Sequence, residues 1–238
     1  MKKNNTQIIF GLHACLAALN NKSRKINGMI CTESILNNYK TLIDNRGITN
    51  ITIKKRKQID QDLGTTIHQG IVLDCDEFKK KTLKLEDKDS LILILDSLND
   101  SQNVGSIIRC AYLFGVKKIL YTKHRSFEIN PFLIKSASGA FEEIDLIEVN
   151  NLNQSINILK KESFWIVGLD IDSNSNFDTL PKDTKLALII GSENKGIKRL
   201  SLQNCDFRIN IKTIKSSSID SLNVSHATAI ALYELTKS

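Results

Sequence analysis

The chain has 238 residues, 41% of them hydrophobic and 25% charged, with only two prolines, which supplies a packed core and excludes a disordered or collagen-like chain. Its formal net charge of +7 favours a polyanionic partner, because each phosphate neutralised by Lys or Arg releases counterions, although solubility alone accounts for such a charge equally well. Cys15, Cys31, Cys75, Cys110 and Cys205 are scattered, with no CxxC pair and no His at metal-ligand spacing, so they read as small buried apolar residues and not as metal ligands.

In chain order, the first stretch, MKKNNTQIIFGLHACLAAL, has two lysines before an apolar run, but Gly11 and His13 interrupt that run and no cleavage site follows. No segment approaches the ~18 apolar residues of a membrane-spanning helix, so a cytoplasmic protein without a membrane span is expected. Next come IIF, a helix through Leu12 to Leu19, NGMICT, a helix from Ser34 to Asp44, NITIKK, a short helix from Lys57 to Leu63, and GIVLDCD. Strands alternating with helical patterns predict a small α/β domain over residues 1–77. Residues 77–84, EFKKKTLK, have no apolar face and predict a linker over 78–89.

The run LILILD at 91–96 reads as a strand covered on both faces, the mark of a central parallel sheet. Further strands are predicted at KKILYT, DLIEV, WIVGLD, LALIIG and FRINI. Helices are predicted at Val104–Phe114, Pro131–Ala140, Leu152–Lys161, Lys195–Cys205 and Val224–Leu235. Residues 90–238 therefore form a second, doubly wound α/β domain. Ligands of such sheets sit where strand ends run into helix starts, which selects the loops DSLNDSQNVG, GSENKG and KTIKSSSIDSLN.

Within the first loop, Asn103, Gly105 and Arg109 form N-x-G-x-x-x-R, with Gly105 and Arg109 sharing one helix face. Arg109 could fork onto a phosphate, or be a surface residue beside a turn-forming Asn and Gly. GSENKG at 191–196 has Glu193 where a phosphate would be repelled and matches neither dinucleotide nor triphosphate fingerprints. Glu193 suits hydroxyls or a cationic ligand, or simply complements a helix dipole. Ser221, Asn223 and Ser225 could equally be caps of the last helix. His226 lies on an otherwise apolar helix and is read as structural, and no metal-ligand cluster stands out.

Taken in order, NxGxxxR, GSExxG and SLNVS resemble the three motifs of the SpoU-type 2′-O-ribose RNA methyltransferases of the SPOUT superfamily. FGLHA, IHQGIV, LDSLNDSQNVGSIIRCA and KSASGAFEEIDLIEV extend the likeness over nearly the whole chain. They resemble the bacterial group that methylates a guanosine ribose in large-subunit (23S) ribosomal RNA. The resemblance implies an N-terminal RNA-binding domain and a C-terminal Rossmann-like parallel-sheet domain ending in a trefoil knot. It further implies S-adenosylmethionine as cofactor and a homodimer with residues of both subunits near each site. Carried over by motif, Asn103, Arg109, Glu193, Ser221 and Asn223 are the implied catalytic set. Gly191, Ile211 and Leu222 are the implied cofactor wall. The chain departs from the pattern at Asn194, where many relatives have Gly, and in a longer stretch between Ile211 and Leu222 carrying Lys212 and Lys215.

A guanidinium is effectively always protonated, so Arg109 is expected to clamp a phosphate and stabilise a developing alkoxide. Asn103 and Ser221 are expected to orient it, with Glu193 and Asn223 organising the loops. Two other readings remain: the same chemistry on transfer RNA, and a non-catalytic ribosome-assembly factor that keeps the fold.

Overall fold

The structure, a computed structural model, describes residues 6–78, 81–123, 126–193, 195–214 and 221–237. Contacts divide it into two compact units: Met1–Lys79 with Ile129–Glu143, and Lys80–Glu128 with Ile144–Ser238. The second of these segments, Ile129–Glu143, departs from a contiguous division of the chain at residues 78–89.

The first unit runs β1 (Thr6–Phe10), α1 (Leu12–Asn20), β2 (Ile26–Cys31), α2 (Glu33–Asn38), α3 (Lys40–Arg46), β3 (Ile51–Ile53), α4 (Arg56–Leu63) and β4 (Ile71–Asp76). Its four strands lie in the order β1-β4-β2-β3, with β4 antiparallel to β1 and β2, and β3 parallel to β2 at the edge. Phe10, Ile59 and Val72 pack together at its core. The single helix expected from Ser34 to Asp44 is two, because Tyr39 takes φ −120°, ψ 20° between them and leaves the helical region.

The second unit contains β5 (Leu91–Asp96), α5 (Ser101–Leu113) and β6 (Lys118–Thr122). After the segment carrying α6 (Pro131–Ala137), it continues through β7 (Asp145–Val149), α7 (Leu152–Lys161), β8 (Phe164–Leu169), β9 (Lys185–Gly191), α8 (Arg199–Gln203), β10 (Phe207–Ile209) and α9 (Val224–Thr236). Six strands lie in the order β10-β8-β9-β5-β6-β7, all parallel. Ile92, Ile94, Ile166, Ala187 and Ile189 are fully buried within it, as the unbroken apolar runs predict. The knot expected at the C-terminus depends on the path through residues 215–220, which lie outside the described residues.

Residues 81–89 are more than a spacer. Leu83 and Leu85 pack against the core of the sheet, and buried Asp89 accepts two hydrogen bonds from Lys118 Nζ, at 2.7 and 2.9 Å. The polar composition of the stretch hides these two anchor points.

Helix α6 starts with Pro131 in its first turn and Asn130 accepting from Leu133 N, and it ends at Ala137, earlier than Ala140, because Ser138 and Gly139 take left-handed conformations. Gly139 has φ +95°, and a Cβ there would meet Ala17 Cβ of α1 at 3.0 Å, so glycine sets how closely this segment approaches α1. Phe132 meets Phe10 edge-on, with ring centroids 5.4 Å apart. Beyond them Arg24, 2% exposed, pairs with Glu142 at 2.9 Å, donates to Asp76 O and Gln7 Oε1, and lies 3.7 Å below the Phe78 ring. Burial holds the Glu142 carboxyl above its ordinary range despite the opposing Arg24 charge.

Candidate active site

Strand β5 leads towards β6 and β7, while its neighbour β9 leads past β8 to β10. Connections that diverge from two adjacent parallel strands open a crevice at their carboxyl ends. Those ends are Asp96 and Gly191, which are partners in the strand register.

Each loop at this crevice has a local cause. After Asp96 the chain turns through Ser97 at φ +65°, and Asp100 caps α5 by accepting from Asn103 N at 2.7 Å. The helix thus begins at Ser101, three residues earlier than its apolar periodicity indicates, and Asn103 lies in its first turn. After β9 the chain folds back on itself: Ser192 N donates to Gly196 O at 3.1 Å and Gly196 N to Ser192 O at 2.8 Å. This turn sits directly on Gly191, where a Cβ would overlap the backbone of Gly196 and Ile197. The turn also explains why α8 spans only Arg199–Gln203: Lys195 lies in the turn and Gly196 in its closing bridge. Before α9, Asn223 caps the helix by accepting from Ser225 N at 2.9 Å and Ser225 Oγ at 2.6 Å.

These three loops meet at one carboxylate. Glu193 Oε1 accepts from Asn103 Nδ2 at 3.0 Å, Asn223 Nδ2 at 3.1 Å and Val224 N at 3.2 Å. Asn223 Nδ2 also reaches Asn103 Oδ1 at 3.1 Å. A negative acceptor shared by three donors is stronger than neutral hydrogen bonds would be. It ties the starts of α5 and α9 to the β9 turn, and it gives Asn223 a second task beyond capping. Residues Asn103, Glu193 and Asn223 therefore form one cluster.

None of the cluster's hydrogen bonds reaches Arg109 or Ser221. Asn103 is engaged with Glu193 and Asn223, where orientation of Arg109 was expected. Arg109 is exposed on α5, six residues on from Asn103 and so turned roughly 120° around the helix from it. Ser221 is exposed two residues before the α9 cap, Ile211 is half-buried just beyond β10, and Leu222 is 37% exposed. Lys212 is exposed; Asn194 and Lys215 lie outside the described residues.

A cavity of about 670 Å³ opens over the cluster, lined by residues 97–100 and 103, 192–193, 195–199 and Val224. Its lining carries both signs of charge, Asp100 and Glu193 against Lys195, Lys198 and Arg199.

A family model described as the SpoU rRNA methylase family matches residues 90–233. The chain belongs to the SpoU rRNA methylase family. A second model, for RNA 2′-O ribose methyltransferase substrate binding, matches residues 8–81. Among curated proteins, the 23S rRNA (guanosine-2′-O-)-methyltransferase RlmB of Coxiella burnetii is 32% identical over 95% of this chain and 94% of its own length. A protein of Borreliella burgdorferi described as an uncharacterized tRNA/rRNA methyltransferase is 36% identical over 75% of this chain and 83% of its own. Among solved structures, the SpoU methyltransferase AviRb of Streptomyces viridochromogenes, in complex with AdoMet, aligns with a TM-score of 0.81 at 16% identity, covering 98% of this chain and 89% of that one. The AdoMet-bound rRNA methyltransferase of Sinorhizobium meliloti aligns with a TM-score of 0.80 at 19% identity, over 97% and 87%.

In this SpoU family member the residues at the crevice fit S-adenosylmethionine in size and charge. The cavity falls within the ~300–1,000 Å³ of small-molecule sites. Its mixed charges match a ligand with a cationic sulfonium and a zwitterionic tail, whereas Ile211 and Leu222, partly exposed, are not among the residues that line it. Among the described residues no group of three or more His, Cys, Asp or Glu could hold a metal ion, and no helix is long and apolar enough to cross a membrane. Burial pushes the Cys75 and Cys205 thiols up to about 12, which keeps them neutral and unsuited as nucleophiles.

One site residue was missed in the sequence. Asp96 is fully buried; its Oδ2 accepts from Lys198 N at 3.0 Å, and its Oδ1 lies 3.2 Å from Lys198 Nζ and accepts from Ser97 Oγ at 3.1 Å. It holds the far end of the β9 turn against the end of β5. The available signal was a lone charge closing an otherwise apolar strand, LILILD.

Proposed function

We propose that this SpoU family member methylates the 2′-hydroxyl of a guanosine ribose in 23S ribosomal RNA, in the cytoplasm, as a homodimer using S-adenosylmethionine. The observation that carries the reading is the Asn103–Glu193–Asn223 cluster, which joins all three motif loops at the crevice between β5 and β9. The name of the Coxiella relative, matched over nearly its full length, supports the nucleotide and the RNA.

When bound, the cofactor supplies an electrophilic methyl group. The chain's own part is positioning and electrostatics. Glu193 fixes the loops that line the cavity, and Asn103 and Asn223 are spent on that fixation. Loss of the hydroxyl proton leaves negative charge on oxygen, which a permanently protonated guanidinium stabilises. Arg109 is the candidate, clamping the adjacent phosphate. Its direction on α5 supports action across a dimer interface. Leu113, one turn further along the same face, is 71% exposed, and on α9, which packs against α5, Ile230 and Tyr233 are 39% and 56% exposed.

The test of function is methyl transfer to transcripts of large-subunit ribosomal RNA and of transfer RNA, with the modified nucleoside identified. A 2′-O-methylguanosine confined to the ribosomal transcript is expected. Transfer to the transfer RNA alone, or to neither, would overturn the assignment. Arg109→Lys should keep RNA affinity and lose most turnover. Mixing Arg109→Ala with Asn223→Ala subunits should restore about a quarter of wild-type turnover if Arg109 serves the partner's site, because half the dimers are mixed and each has one intact site. No recovery would place Arg109 within its own subunit's site.

A further inference from the structure

A second cavity lies in the first unit, about 360 Å³ in volume, between residues 22–27, which run from the α1–β2 turn into the start of β2, and residues 46–49, which run from the end of α3 towards β3. We propose that it is a phosphate site through which this unit grips the RNA backbone. The proposal rests on the RNA reading above and assigns a contact that the motifs do not mark.

Four cations line the cavity, Lys22, Arg24, Lys25 and Arg46, and no carboxylate does. They are not equivalent. Arg24 is buried and committed to Glu142. Lys25 pairs with Asp76 at 3.0 Å, with the two side chains 72% and 42% exposed, so solvent screens the pair and a ligand can compete for the lysine. Lys22 and Arg46 take part in none of the ion pairs found among the described residues.

Arg46 is already immobilised. Its Nη2 donates to Asn21 O at 3.1 Å and to Arg24 O, both carbonyls of the facing turn, while its buried Nε has no hydrogen-bond partner. A fixed guanidinium short of acceptors, with an exposed lysine beside it and no acid in the lining, presents the field of an anion site.

The surroundings favour a polymer over a free ion. The cavity lies just before β3, the edge strand, and Lys54, Lys55, Arg56 and Lys57 follow that strand directly. Three residues of extended chain span about 10 Å. A phosphodiester backbone lying along β3 therefore meets cations at both ends.

The test is binding of a transcribed bacterial 23S ribosomal RNA across a salt series, comparing wild-type protein with Lys22→Ala/Lys25→Ala. Lys161→Ala/Lys182→Ala serves as a control that removes the same charge from exposed positions of the second unit. The cavity variant should lower the slope of log K against log salt by about one to two, with roughly five- to eightfold weaker binding per lost contact at about 0.1 M salt, and an unchanged thermal midpoint. Arg46→Lys should reproduce part of the loss, because it keeps the charge and removes the two carbonyl contacts that hold it in place. An unchanged slope, or an equal loss in the control, would overturn the proposal. So would inorganic phosphate binding to the cavity without any change in the RNA slope, which would assign the site to the free ion. Methyl transfer measured on the same samples separates the two readings. Normal transfer with an unchanged slope removes the cavity alone, and a cavity-dependent slope with no transfer by the wild type removes the enzymatic reading alone.

Discussion

Substituting Gly191 by Ala places a methyl group into the backbone of Gly196 and Ile197, where no flexible side chain can yield. The turn must swing away, and with it go the two backbone hydrogen bonds between Ser192 and Gly196. At about 0.5–1.5 kcal/mol net for each bond, plus about 1–3 kcal/mol for overpacking, the expected loss is about 2–6 kcal/mol. At about 2–4 °C per kcal/mol for a chain of this size, the unfolding midpoint should fall by about 4–24 °C. Because the swing carries Glu193 away from Asn103, Asn223 and Val224, methyl transfer should fall as well. Gly196→Ala is the matched comparison. Its φ is +62° but nothing lies within 4 Å of the added Cβ, so it should cost only about 1–2 kcal/mol of left-handed strain and retain transfer. Calorimetric unfolding and cofactor titration of both variants decide the matter. A Gly191→Ala protein as stable and as active as Gly196→Ala would refute the steric reasoning.

Further predictions concern charge, coupling and assembly. Glu142 has its folded pKa raised chiefly by burial, so its contribution to stability is fully present below the ordinary carboxylate pKa and lost as pH rises through the raised value. Arg24→Met removes the counter-charge and lifts that pKa further. The variant should lose about 3–5 kcal/mol at neutral pH and less near the ordinary carboxylate pKa; urea unfolding showing a pH-independent loss would contradict this. In a double-mutant cycle, Asn103→Ala and Glu193→Ala should show a coupling of about 0.5–3 kcal/mol, and additive effects would mean that their hydrogen bond does not contribute in solution. Ile230→Glu with Tyr233→Glu should convert the proposed dimer to monomer in sedimentation experiments, and an intact dimer would exclude this face from the interface.

What could be read without coordinates was whatever repeats locally. The apolar runs at 91–95 and 186–190 announce buried parallel strands, and the motif order points to Asn103, Glu193 and Asn223. The hidden features depend on partners distant in sequence or on a single backbone angle. No periodicity signals the break at Tyr39, and the fold-back over Gly191 looks like the start of a helix. Asp96 and Lys198 lie 102 positions apart. Arg24 reads as one more surface cation until Glu142 is placed beside it.

That last pair bears on how the protein is made. The ribosome releases Met1–Lys79 well before Ile129–Glu143, about fifty residues and roughly 3–10 s later at ~5–20 residues per second. During that interval Arg24 has no carboxylate to meet, and the surface of α1 that receives Gly139 is uncovered. The first unit therefore finishes folding only once most of the chain has been synthesised. A polypeptide ending at residue 79 lacks both the carboxylate that pairs with Arg24 and the glycine that packs on α1.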